Sequence, residues 1–187
     1  MPPLETAVPL LHDHLVHAAR RLPDKVALVV AKERYTYAEL DARSNQLAHA
    51  LVQRGVARGD RVIVFADNTV ETVIAFWGVL KANAVVSIIN PQTKADKLTY
   101  YLNDSRATAI ISDAHLGNVL GDAARRAEHL KATIVSGKLD ARFEGLPGLV
   151  GWEEALAEGD RAHPPPRRTI DVDLAAIIYT SGSTGDP

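Results

Sequence analysis

An α/β fold, with a mostly parallel sheet carrying helices on both faces, is what this sequence predicts. Three observations point there. Strand-like and helix-like stretches alternate at intervals of roughly 20–25 residues between Val26 and Val135, the rhythm of βαβ units. Val85–Ile89 is almost continuously apolar, as a parallel strand buried on both faces is. Polar caps open the intervening helices, most clearly at Thr36-Tyr37-Ala38-Glu39.

The elements follow in order. Residues 1–9 form an extended, proline-marked lead-in, and Leu10–Arg21 an amphipathic helix with Leu11, Leu15, Ala18 and Ala19 near one face, stopped by Pro23. His14 and His17 stand three apart on that helix. Without a further ligand, a solvated face explains them better than a metal. Val26–Val30 and Arg34–Thr36 read as two strands around a charged turn at Lys32-Glu33. After the capping box a helix runs to Arg54, with Leu40, Leu47, Ala48 and Leu51 inward and Gly55 at its C′ position. Arg61–Phe65 is a strand. Asn68-Thr69-Val70-Glu71 caps a helix to Lys81 that is apolar most of the way round and therefore buried, Trp77 included. Asn90-Pro91 ends the strand Val85–Ile89, and Thr93–Asp96 opens a helix with Leu98, Tyr101 and Leu102 inward. Ala109–Ser112 and Thr133–Val135 are strands flanking a less regular helical stretch, Leu116–Leu130.

Residues 137–170 read as a loop-rich connector marked by Gly137, Gly145, Pro147, Gly148 and Gly151. A short helix at Trp152–Ala157 and a stiff basic spacer at Pro164–Arg168 interrupt it. The chain thus divides into a βαβ-rich core (1–136), the connector (137–170) and a final segment (171–187).

With 187 residues, 47% of them hydrophobic and 24% charged, the chain suits a globular domain with a sizeable core. A net charge of −2 gives no bulk attraction to nucleic acid or an anionic membrane. No apolar run approaches the ~20 residues that span a bilayer. The N-terminus lacks the basic and apolar regions of a signal peptide. There are no cysteines, so disulfides and thiolate metal sites are excluded and the cytoplasm is the expected compartment.

The most informative stretch is the last. Leu174–Tyr179 reads as a short buried strand, and Thr180-Ser181-Gly182-Ser183-Thr184-Gly185 follows at once. Glycines let a backbone fold its N–H groups around an anion, and four hydroxyls add donors. The loop has no positive charge, so dipoles alone would hold the anion. It lacks the GxxxxGK[ST] pattern of a Walker loop. Composition alone favours a flexible Ser/Gly linker or a frayed tail over an anion loop.

Context separates the two. Asp171-Val172-Asp173, the apolar run, Tyr179–Gly185 and Pro187 together resemble the signature loop of the adenylate-forming, AMP-binding enzymes. That family joins acyl-CoA synthetases, adenylation domains of peptide synthetases, and luciferases. Tyr35–Leu40 resembles its early "TYxEL" segment, and Gly78–Ala84 through Asn90-Pro91 its "LKAGA…P" segment, continued by Leu102–Ser105. The likeness spans most of residues 11–187, in order. Asn83 stands where the family has glycine, which suggests latitude in that turn. Asn90-Pro91, where amino-acid-activating members show Asp-Pro, points to the acyl-CoA synthetases.

The resemblance implies the N-terminal part of an AMP-binding domain, the C-terminal domain being absent. In the family a carboxylate attacks the α-phosphate of Mg-ATP, pyrophosphate leaves, and CoA or a phosphopantetheine thiol takes the acyl group. Thr180, Ser181, Gly182, Ser183, Thr184 and Gly185 carry over as the pyrophosphate cradle. No catalytic residue and no metal ligand carries over, because the family places these beyond Pro187. Two further readings stand beside this one: the same portion of an amino-acid adenylation domain, and a natural binding or dimerisation module without catalysis. The expected partners are a carboxylic acid and, through the open edge at 174–179, a second copy of the chain in a homodimer.

Magnitudes bear on whether this chain can work alone. A neutral hydrogen bond contributes about 1 kcal/mol net, and millimolar affinity needs about 4 kcal/mol. Ordering a loop costs about 1–2 kcal/mol per residue, which cancels what six residues gain. Calorimetry on this chain alone is therefore expected to show no micromolar ATP binding, and a pyrophosphate assay no release. Either signal would overturn the expectation.

Overall fold

The computed structural model describes residues 9–180. Its centre is a five-stranded, wholly parallel sheet in the order β4-β3-β5-β6-β7. The strands are β3 (Arg61–Phe65), β4 (Val85–Ile89), β5 (Ala107–Asp113), β6 (Ala132–Ser136) and β7 (Leu149–Gly151). Ahead of it, α1 (Asp13–Arg21) leads into a separate antiparallel hairpin, β1 (Val26–Val30) with β2 (Glu33–Thr36).

Alternation along β3 assigns the two faces, because successive side chains of a strand point opposite ways. Val62 and Val64 face a cluster built from α2 (Tyr37–Gln53), α3 (Val70–Lys81) and α6 (Trp152–Ala157). Ile63 and Phe65 face a second cluster built from α4 (Ala95–Asp104) and α5 (Gly117–Arg125). All four β3 side chains are fully buried. Helices therefore cover both faces, as the sequence predicts.

The capping box of α2 forms. The Glu39 N–H donates to Thr36 Oγ1 (3.2 Å), and the Thr36 N–H donates to Glu39 Oε2 (2.7 Å). Gly55 follows at φ +85°, in the left-handed region that a C′ residue needs. Thr69 precedes α3 in extended conformation, but its hydroxyl makes no capping bond. The polar tie at that end is instead Thr72 Oγ1 donating to the Asp67 carbonyl (2.6 Å). Between α2 and α3 the backbones approach so closely that a Cβ on Gly78 would sit 2.8 Å from Leu47 Cδ2. Beside that contact the Lys81 ammonium is sealed from solvent. It donates to Asp41 Oδ1 (2.7 Å), the Asp41 carbonyl (3.0 Å), Ser44 Oγ (2.7 Å) and Asn45 Oδ1 (2.8 Å), all on α2.

Two expectations need correction. Residues 137–170 supply more than a connector. They hold the fifth strand, β7, beside the expected short helix, α6 (Trp152–Ala157), while Phe143, Leu146 and Trp152 are buried in the two clusters. A strand of three residues is too short to display an alternating pattern. Leu174–Tyr179 is likewise not a buried strand. It makes one parallel bridge, Ala176 to Val86, and Leu174 and Ile178 are 66% and 81% exposed. The segment lies outside β4 at the edge of the sheet, and among the described residues no further strand pairs with it. The lesser shifts are at helix ends: α1 starts at Asp13, and the helix expected to reach Leu130 ends at Arg125. Among the described residues no helix is long and apolar enough to cross a membrane.

Asn83 does more than tolerate its turn. Its φ of +64° is left-handed, a conformation that asparagine adopts more easily than most residues. Its Oδ1 accepts from the Arg168 N–H (2.6 Å), the Thr169 N–H (3.1 Å) and Thr169 Oγ1 (2.8 Å), and its Nδ2 donates to the Pro166 carbonyl (3.1 Å). A glycine could make the turn but not this tie to the spacer. We expect Asn83→Gly to lower stability by about 1 kcal/mol through the lost tie, and Asn83→Ala by about 2 kcal/mol through added backbone strain. Urea unfolding that found Asn83→Ala as stable as Asn83→Gly would contradict this.

Candidate functional site

The order β4-β3-β5 means that the chain leaves β3 first to one side and then, after α4, crosses to the other. Where an open parallel sheet reverses in this way, a crevice opens beyond the carboxyl ends of its strands. Here that end is marked by Phe65, Ile89 and Asp113, the last residues of β3, β4 and β5.

The final segment is brought to the same end in three steps. Asn83 holds residues 166–169. Asp173 then forms a two-pronged pair with Arg58, Oδ2 to Nε and Oδ1 to Nη2, each 2.9 Å, and Asp173 Oδ2 also accepts the Ile170 N–H (3.0 Å). These bonds hold the Asp173 carboxyl below its usual range, the Ile170 N–H most strongly. Beyond that pair, the Val86 N–H donates to the Ala175 carbonyl (3.1 Å) and the Ile177 N–H to the Val86 carbonyl (3.0 Å). The segment therefore runs parallel to β4 where it passes Val86 and heads toward its carboxyl end.

Tyr179 is the next fixed point. Its ring packs on Tyr101 of α4, centroids 4.3 Å apart and planes inclined by 37°. Its hydroxyl donates to Asp104 Oδ2 at 2.7 Å. Partial burial and the neighbouring carboxylate both push the phenol well above its ordinary value, so it keeps its proton. The Lys97 ammonium lies 5.8 Å from the centroid of the same Tyr101 ring.

Of the six sequence-predicted site residues, Thr180 is described and is exposed. Ser181, Gly182, Ser183, Thr184 and Gly185 lie outside the described residues. Sequence reasoning named Tyr179 as the end of the apolar run and the start of the signature stretch, with no role of its own. Its hydroxyl bond to Asp104 joins residues too distant in sequence to leave a local signal.

A second group sits at the crevice itself. Asp67 follows β3, Asp113 ends β5, and His115 follows it; among the described residues these three bring their ligand atoms within 4.8 Å of one another. The Asp67 N–H donates to Asp113 Oδ2 (2.8 Å), and His115 Nε2 lies 3.2 Å from Asp67 Oδ2. Burial pushes the Asp113 carboxyl up, against the pull of that N–H and of His115. Two carboxylates and an imidazole have the chemistry to hold a small cation, and with His115 protonated they form a self-contained ion pair. His14 and His17 of α1 join no such group among the described residues and face solvent. His12, by contrast, is packed against the body, and burial lowers its basicity. It lines a cleft of about 450 Å³ with Leu80, Ala84 and Ile170. Ala84 lies at the amino end of β4, and Leu174 and Ala175 of the final segment line the same cleft.

The sequence matches the AMP-binding enzyme family over residues 15–187. It is 31% identical over 175 residues to the medium/long-chain-fatty-acid–CoA/3-oxocholest-4-en-26-oate–CoA ligase of Mycobacterium marinum, covering 91% of this chain and 32% of that one. It is 34% identical over 173 residues to tyrocidine synthase 3 of Brevibacillus parabrevis, covering 92% of this chain and 2% of the synthase. The fold superposes with a TM-score of 0.86 on the anthranilate CoA ligase AuaEII in complex with anthranoyl-AMP, at 23% identity, over 96% of this chain and 34% of that one. The chain thus spans about a third of the CoA ligases it matches and a far smaller part of the peptide synthetase. A parallel sheet with helices on both faces, together with a family match across residues 15–187, makes this chain a member of the AMP-binding, adenylate-forming enzyme family.

Proposed function

We propose that this chain is the N-terminal portion of an ATP-dependent carboxylate–CoA ligase and is inactive alone. One observation carries the reading: residues 175–177 pair in parallel with β4 at Val86, so the chain heads toward the carboxyl ends of the strands, where a phosphate loop is useful. The sequence likeness to a fatty-acid–CoA ligase supports the choice of substrate class, a carboxylic acid. The cytoplasm is the proposed compartment.

In this reading a carboxylate oxygen attacks the α-phosphorus of ATP, and the bond to the bridging oxygen of pyrophosphate breaks. The acyl-adenylate so formed then loses AMP to an attacking thiol, that of CoA. Mg2+ enters with ATP as part of the substrate. The contribution of this chain is electrostatic and positional. Backbone N–H groups and the hydroxyls of Thr180, Ser181, Ser183 and Thr184 take up the charge that grows on the departing pyrophosphate, aided by glycines at 182 and 185. A second reading, the corresponding part of an amino-acid adenylation domain, draws on the likeness to tyrocidine synthase 3.

The test is acid-dependent ATP–pyrophosphate exchange by the complete polypeptide, run against a panel of carboxylic and amino acids with CoA or a carrier protein as acceptor. Alanine at Ser181, Ser183 and Thr184 together is expected to cut exchange by about a hundredfold and raise the KM for ATP. Exchange that survives this change intact would remove the phosphate-loop assignment. Transfer to a carrier in place of CoA would favour the second reading.

We also propose that this chain, isolated, pairs with a second copy through its open rim. Val172, Leu174 and Ile178 are 81%, 66% and 81% exposed beside an unpaired strand edge. Light scattering at micromolar concentration is expected to give a dimer mass that falls on Ile178→Lys substitution. A monomer throughout would refute the pairing.

A further inference from the structure

Between Leu174 and Thr180 the described structure ties the chain to its body at two kinds of point. One is the backbone bridge at Val86. The other is Tyr179, half-buried between neighbours that are open to solvent: Ile178 is 81% exposed and Thr180 also lies outside. An apolar run on an exposed rim gains little by turning a single tyrosine inward unless that residue has something to hold.

What it holds is firm. Tyr101 is 6% exposed and belongs to the core cluster shared with Leu98, Leu102 and Phe65. Asp104 is the last residue of α4, and its neighbour Asn103 locks that end to the α5 side of the fold. Asn103 Nδ2 donates to the Arg126 carbonyl (3.2 Å), and the Glu128 N–H donates to Asn103 Oδ1 (2.9 Å). The bridge at Val86 fixes the segment along the strand direction. The ring on Tyr101 and the hydroxyl on Asp104 fix its depth and rotation against the α4 face. Together these set the point and direction from which Thr180 departs.

We propose that Tyr179 is a positioning residue for the phosphate loop, with Asp104 and Tyr101 as its mount. The claim rests on the reading of Thr180–Gly185 as that loop. Donors that stabilise charge growing on a departing phosphate work only when held in place beforehand, and small displacements are costly. Glycine has the greatest backbone freedom of any residue, so a glycine-containing loop gains from a fixed point of departure. The mount supplies it from outside, one residue before the loop begins.

The test uses the complete polypeptide with Tyr179→Phe, Asp104→Ala, Asp104→Asn and the Tyr179→Phe/Asp104→Ala double variant. The Ser181/Ser183/Thr184 triple alanine serves as the control for the underlying reading. Tyr179→Phe and Asp104→Ala are each expected to raise the KM for ATP about fivefold, the worth of one hydrogen bond. The KM for the acid and the thermal midpoint stay unchanged. The double variant is no worse than either single one, because both remove the same bond. Asp104→Asn, whose amide oxygen still accepts the phenol proton, restores the wild-type value. In this chain by itself, amide exchange at Ile177 is expected to be about fivefold faster in Asp104→Ala and normal in Asp104→Asn. If the triple alanine raises the KM for ATP while Tyr179→Phe and Asp104→Ala do not, the loop reading stands and the mount is refuted. If the triple alanine changes nothing, the loop reading falls and takes the mount with it. Effects that track the thermal midpoint, or equal effects on the KM of the acid, also refute positioning.

Discussion

The fold turns on one sealed cation. Lys81 ends α3 with its ammonium shut away from water, and every acceptor it finds belongs to α2. Burial alone would drive such a group to shed its proton, and Asp41 opposes that. A buried ion pair is a poor source of stability, but removing one partner is costly, so the arrangement acts as a constraint. It admits one registry of α3 on α2, the registry in which Gly78 lets the two backbones close on Leu47. Because α3 joins β3 to β4, the same constraint sets where β4 lies and where its outer edge is exposed.

That edge is what the last part of the chain uses. Two residues later Asn83 takes a left-handed turn and gathers residues 166–169 with its amide. Arg58, in the loop before β3, grips Asp173. The segment is thus steered by side chains from two places before it reaches Val86. A chain with this little regular structure of its own is directed by hydrogen bonds to turns rather than by burial, which explains its exposed apolar residues.

Much of this was legible in the sequence. The βαβ rhythm, the capping box at Thr36–Glu39 and the buried character of α3 are local signals, and each appears where the pattern places it. β7 was not legible, because three residues cannot show a period, and its place comes from pairing with Thr133, Ile134 and Val135 of β6. Leu174–Tyr179 misled for the opposite reason. Its apolar composition suits a strand inside a sheet, while its place is at the rim. Asn83 looked like a relaxed glycine turn, and only the approach of Arg168 and Thr169 shows why an amide belongs there. At the site, Thr180–Gly185 could be named from chemistry and resemblance. The contact from Tyr179 to Asp104 needed the fold.

The bridge between Val86 and Ala176 has a consequence for the order of events during synthesis. Its two strands are far apart in sequence, and such non-local contacts close late. β4 must already be seated on β3, with α2 and α3 packed behind, before Ala175 and Ile177 have a template. A nascent polypeptide still assembling its sheet therefore has no fixed rim to offer. If the stretch from Thr180 onward is the phosphate loop proposed above, its competence would arrive as a final step, gated by completion of the core.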